Sequence, residues 1–113
     1  MTPKEIGDDA ENYFLQILKK LGDNPKLTKG SGSVRSEPDI ISDNMSAEVK
    51  GTESESFTIN PSIVKKLVKQ SVSNNGINML CVKTKSFDGV LLPTADFIVL
   101  YTHYINSVKE QKR

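Results

Sequence analysis

Apolar residues recur at helical spacing along the first stretch of the chain, at Ile6, Ala10, Tyr13, Phe14, Ile17, Leu18 and Leu21. That spacing predicts a helix over 2–21 with one face turned to a core. Thr2 and Glu5 form a capping-box pattern, Pro3 suits the first helical position, and Gly22 is a natural stop. From Asp23 to Glu37 the pattern is polar, with Gly30-Ser31-Gly32-Ser33 at its centre. The stretch PDIISDNMSAEVK, Pro38 to Lys50, then carries two short runs on either side of Asp43-Asn44, which predicts a two-residue hairpin. Side chains alternate along its second strand, so Met45, Ala47 and Val49 suit a core while Ser46, Glu48 and Lys50 share the other face. Asp39, on the first strand, is placed to join them.

The polar segment Gly51 to Ser56 leads to Phe57-Thr58-Ile59, which reads as a third strand. Asn60-Pro61 is a cap-then-proline helix start. Ile63, Val64, Leu67, Val68 and Val72 form the apolar face of that helix; Lys65, Lys66, Lys69 and Gln70 fall largely outside it, and Asn75-Gly76 ends it. Residues 77–83 are almost continuously apolar, the mark of a strand buried on both faces. Val90-Leu91-Leu92 reads as a short strand after an Asp88-Gly89 turn. Thr94 can cap a last helix striped by Phe97, Leu100, Tyr101, Tyr104, Ile105 and Val108, with His103 exposed off the stripe. Part of this stripe is expected to cover the sheet and the rest to be available to a second copy; the alternative is that all of it packs on its own sheet. The elements, in order helix, hairpin, strand, helix, strand, strand, helix, describe an α/β fold.

Composition narrows the class. At 113 residues, with 36% hydrophobic and 26% charged residues, the chain fits one globular domain, 1–113, without internal repeats. The net charge of +1 decides nothing about nucleic acid, because clustering matters more than the sum. No apolar run approaches the roughly 20 residues of a membrane span, and Met1-Thr2-Pro3-Lys4-Glu5 is no signal pattern. A cytoplasmic protein without a membrane partner is expected. The lone Cys81 reads as a buried thiol in a reducing compartment. One His and one Cys make a structural zinc site or a Cys-His pair improbable.

The chemistry concentrates in the hairpin. Two carboxylates converging on one point, Asp39 and Glu48, repel unless a hard cation such as Mg²⁺ sits between them. Such a cation polarises a phosphodiester and lowers the pKa of a bound water, and Lys50 on the same face can orient that water or neutralise developing charge. The bland alternative is a surface hairpin with an ordinary Glu-x-Lys. Glu11 lies on or beside the buried face of the first helix; as a boundary residue it would reach solvent instead. The glycine-serine segment can bring amides and the hydroxyls of Ser31 and Ser33 to phosphate oxygens, with Lys26, Lys29 and Arg35 flanking it, or it is a linker. Lys65, Lys66 and Lys69 form either a solvated face or a contact to a phosphate backbone.

Pro38-Asp39 followed by Glu48-Val49-Lys50 resembles the PD-(D/E)xK signature of the restriction-endonuclease-like nuclease superfamily. The glycine-serine segment before it, and the order of elements, are more similar to the archaeal-type Holliday junction resolvases. This resemblance implies a central mixed β-sheet flanked by helices, in a restriction-endonuclease-like core. It implies a metal-dependent endodeoxyribonuclease that cuts branched DNA, four-way junctions above all. Asp39 and Glu48 would be metal ligands and Glu11 a supporting one, for Mg²⁺ with Mn²⁺ able to substitute; Lys50 would position the water. Ser31 or Ser33 would contact the scissile phosphate, with Lys29, Arg35, Lys65, Lys66 and Lys69 on the DNA backbone. A homodimer follows if the substrate is a four-way junction, since two related cuts need two sites about a two-fold axis. Two alternatives remain at this level: a nuclease of the same fold acting on flap, single-stranded or mismatched DNA, and a catalytically inactive DNA-binding or interaction module.

Overall fold

Thr2 opens the first helix as the pattern predicts. Its hydroxyl accepts from the Glu5 amide at 3.2 Å while the Glu5 carboxylate accepts from the Thr2 amide at 3.0 Å, so two helix-end donors are satisfied reciprocally. Helix α1 runs Pro3–Lys20 and ends before Gly22, which takes the left-handed φ of +89°. In the computed structural model, residues 1–28, 38–73 and 76–112 are described, the side chains of 71–73 excepted. After α1 come β1 (Lys26–Leu27), β2 (Ile40–Ile41), β3 (Met45–Gly51), α2 (Pro61–Ser73), β4 (Ile77–Lys83), β5 (Asp88–Leu91) and α3 (Thr94–Gln111).

The strands form one mixed sheet in the order β1-β2-β3-β4-β5. β3 pairs antiparallel with β2 and parallel with β4 through Met45↔Ile77 to Gly51↔Lys83. It is therefore central. Met45 through Val49 are all buried, so the polar face of this strand is as enclosed as its apolar one. The main core lies between α1 and the sheet: Ala10, Phe14 and Leu15 pack on Ile40, Met45, Ala47, Val49 and Cys81. Burial pushes the Cys81 thiol up to about 12, so it is an inert core group.

The structure corrects several expectations. Phe57-Thr58-Ile59 is irregular, because both edges of β3 are already occupied by β2 and β4. Asp88 and Gly89 belong to β5, and the preceding turn closes instead between Thr84 and Phe87, whose carbonyl accepts from the Thr84 amide. Thr94 is the first residue of α3 rather than its cap; Pro93 stands at the N-cap. The inward face of α2 carries Leu67 and Gln70, both buried, with Ile63 and Lys66 half-buried beside them, while Val64 and Val68 are exposed. Lys66 and Gln70 thus belong to the inside of the helix that the sequence pattern assigned outward.

The largest departure is α3. It buries no residue, and Leu100 of its stripe only lines an open groove beside Phe14, Met79 and Cys81. Its start is tied down where the Asp96 carboxylate accepts from the Asn78 amide at 3.0 Å. Beyond that the helix stands away, and the 15.0 Å radius of gyration exceeds the ~13 Å usual for a compact chain of this length.

Candidate active site

The β2–β3 hairpin carries Glu48 and Lys50 and ends beside Asp39. Ile41 faces Ser46 and Ile40 faces Ala47; Asp39 stands one residue beyond this paired stretch. The Asp39 amide donates to the Ala47 carbonyl at 2.9 Å, and its Oδ2 accepts from the Val49 amide at 2.8 Å. The carboxylate is thereby fixed on the backbone between Glu48 and Lys50. On its other side, the Asp39 carbonyl accepts from the Thr28 amide at 3.0 Å.

Glu48 is 4% exposed. Burial raises its pKa above the ordinary glutamate value, and the nearby Asp39 charge adds to this, against the opposing pull of Lys66 and Lys50. The Lys66 ammonium lies 2.9 Å from both of its carboxylate oxygens. Lys50 lies 3.7 Å from Oε1, with its side chain more open to solvent. Glu11, on α1, is also raised, first by burial and then by the charges of Asp39, Asp8 and Glu48. The three acids are therefore close enough to repel one another.

Of the residues singled out in the sequence, Asp39, Glu48 and Lys50 come together and Glu11 joins their field. Lys65 and Lys69 are exposed on α2. Lys29, Ser31, Ser33 and Arg35 lie outside the described residues; Thr28 and Pro38 on either side are hydrogen-bonded to each other, beside Asp39. Lys66 is the residue that sequence reasoning misplaced, as a contact on the outer face. The signal for it was Glu48 itself, since a carboxylate on a central strand needs a cation within reach.

Among the described residues no three His, Cys, Asp or Glu side chains converge as a ready metal cluster. The donors that are present nevertheless fit a hard divalent cation: they are all carboxylate oxygens, and their mutual repulsion is what such an ion relieves.

A mixed sheet with Asp39, Glu48 and Lys50 near its centre, packed against α1 on one face and α2 on the other, is the restriction-endonuclease-like fold. Among solved structures, the chain is similar to Hjc of Archaeoglobus fulgidus, a Holliday junction resolvase from an archaeal hyperthermophile. The TM-score is 0.61 at 20% identity, over 73% of this chain and 72% of that one. No protein-family model and no curated protein matches the chain. The expected α/β class and restriction-endonuclease-like core are thus borne out.

Proposed function

We propose that this protein is a metal-dependent endodeoxyribonuclease that hydrolyses phosphodiester bonds in branched DNA, as a Holliday junction resolvase. The observation that carries the reading is the Asp39 carboxylate held on the amide of Val49, between Glu48 and Lys50, in a chain with the fold of a solved resolvase. Asp39 and Glu48 would hold a Mg²⁺ ion, replaceable by Mn²⁺, with Glu11 in support. When bound, the ion supplies Lewis-acid polarisation of the phosphodiester and neutralises charge on the leaving oxygen. The protein does the rest. The amide of Val49 fixes Asp39. Lys50, at the more open side of Glu48, orients the attacking water and meets the charge that develops on the phosphate. Ser31 or Ser33 contacts the scissile phosphate, and Lys29, Arg35, Lys65 and Lys69 lie along the backbone.

Helix α3 supports the homodimer that a two-fold substrate requires. Phe97, Tyr101 and Tyr104 stack along it while each is half or more exposed, and Ile98, Val99 and Leu100 are exposed beside them. Next to its start lies an open apolar groove of about 480 Å³, lined in part by Phe14, Ile17, Leu18 and Val90. A second copy presenting the same helix and groove would cover this surface about a two-fold axis. Incubation with four-way, flapped, single-stranded and linear DNA, in Mg²⁺ and in EDTA, tests the reading. Cleavage of the four-way junction ahead of the others, and only with Mg²⁺, is expected. Preference for a flap or a single strand overturns the resolvase assignment, and cleavage unaffected by EDTA overturns the metal.

A further inference from the structure

Glu48 is almost wholly enclosed, yet its two oxygens, the atoms a divalent cation needs, are both within 2.9 Å of the Lys66 ammonium. A buried carboxylate left without a cation is strongly unfavourable, so the metal-free protein requires a partner there. Lys50 does not fill that role, since it reaches only Oε1 and only to 3.7 Å. Lys66 comes from a different layer of the fold, the inward face of α2, and its side chain retains 29% exposure. A flexible four-carbon stem with an open side can leave the carboxylate without disturbing the helix.

We infer that Lys66 is a resident cation that holds Glu48 in the absence of metal and exchanges with the divalent ion, swinging out as the ion takes the carboxylate oxygens. The inference rests on the reading of Glu48 as a metal ligand. Exchange keeps a cation on Glu48 before and after the ion binds, so the carboxylate is in place when the ion arrives. It also sets the affinity for the ion below what the same carboxylates would give alone, because every binding event must displace an ammonium.

The test is titration of Mn²⁺ into the DNA-free full chain, read from the electron paramagnetic resonance of the free ion. It is run on the wild type, on Lys66→Gln, and on Asp39→Asn in both backgrounds. Lys66→Gln is expected to bind Mn²⁺ roughly tenfold more tightly or better, the size of a charge-assisted hydrogen bond that no longer has to be surrendered. Asp39→Asn is expected to weaken binding in both backgrounds. In EDTA, Lys66→Gln melts below the wild type, and Mn²⁺ raises its melting temperature by more. A purely structural lysine would give the lower melting temperature without the tighter binding. Equal or weaker binding by Lys66→Gln, with the wild type still binding through Asp39, overturns the exchange and leaves the metal reading standing. Absence of any Asp39-dependent binding in either background removes the metal reading itself, and the exchange with it. Should Lys66→Gln not fold, Lys66→Arg serves: its planar fork grips both oxygens more firmly, so Mn²⁺ affinity should drop severalfold, and unchanged affinity overturns the proposal.

Discussion

Gly51 follows Lys50 at the end of β3, and α1 crosses it so closely that there is no room for a methyl group. A Cβ at position 51 would stand 2.9 Å from the Ala10 Cβ, 3.0 Å from the Ile6 carbonyl oxygen and 3.3 Å from Ile6 Cγ2. Non-bonded carbons settle at about 3.5–4.0 Å. Neither the Ala10 methyl nor a backbone carbonyl can rotate out of the way, so Gly51→Ala forces α1 back from the sheet by roughly 0.6–1 Å. Overpacking of this kind costs about 1–3 kcal/mol, a fall in melting temperature of roughly 4–12 °C for a chain of this size. Glu11, next to Ala10, moves with the helix; in its proposed role supporting the metal, a displacement of about 1 Å would reduce the rate on the order of a hundredfold. Gly7, on the same helix, has nothing within 4 Å of its would-be Cβ. Gly7→Ala should therefore raise stability by about 0.5–1 kcal/mol through helix propensity alone. Thermal unfolding of the two variants followed by circular dichroism, with DNA cleavage measured in parallel, checks the pair. Gly51→Ala melting at or above the wild type would refute the seating of α1 on β3.

Other expectations follow from the same geometry. Glu48 has a raised pKa, so its folded form holds a proton more tightly than the unfolded form, and the stability this gives is lost as pH rises through the folded value. Without metal, Glu48→Gln should thus gain on the wild type as pH is raised from the acid range to neutrality, and a gap that shrinks over that range in urea unfolding contradicts it. DNA affinity should fall steeply with salt, and Lys65→Ala with Lys69→Ala should each flatten the log–log slope by about 0.9; an unchanged slope removes those two lysines from the interface. Tyr101→Asp, in the middle of the aromatic stack on α3, should weaken self-association by about 30-fold or more, as loss of an aromatic hot spot does. Sedimentation equilibrium decides it, and a wild type that remains monomeric with junction DNA present excludes the dimer.

The hairpin was readable in the sequence because its signals are local. A polar pair between two short apolar runs determines the turn, the turn determines the register, and a period of two determines which side chains share a face. Helix α1 was readable for the same reason, with its cap, proline and stripe all in one stretch. What the sequence concealed depends on distant neighbours. β1 is only Lys26–Leu27, and it exists because β2 offers an edge to it. Phe57-Thr58-Ile59 has strand propensity and no vacant edge beside β3 to join. On α2, apolar residues at 63, 64, 67 and 68 span an arc wide enough for more than one rotation, and the one adopted turns Lys66 inward onto the enclosed Glu48. The stripe on α3 was plain to see, but a stripe does not say whether its partner is the chain's own sheet or another molecule.

The most direct measurement is single-turnover cleavage of an end-labelled four-way junction in Mg²⁺, comparing the wild type with Asp39→Asn and recording junction binding by both. The wild type should cut the junction; Asp39→Asn should bind it and leave it intact, with its fold unchanged by circular dichroism. Cleavage by Asp39→Asn at near the wild-type rate, or a wild type that binds the junction in Mg²⁺ and never cuts it, would contradict the assignment of the Asp39–Glu48–Lys50 hairpin as the catalytic centre.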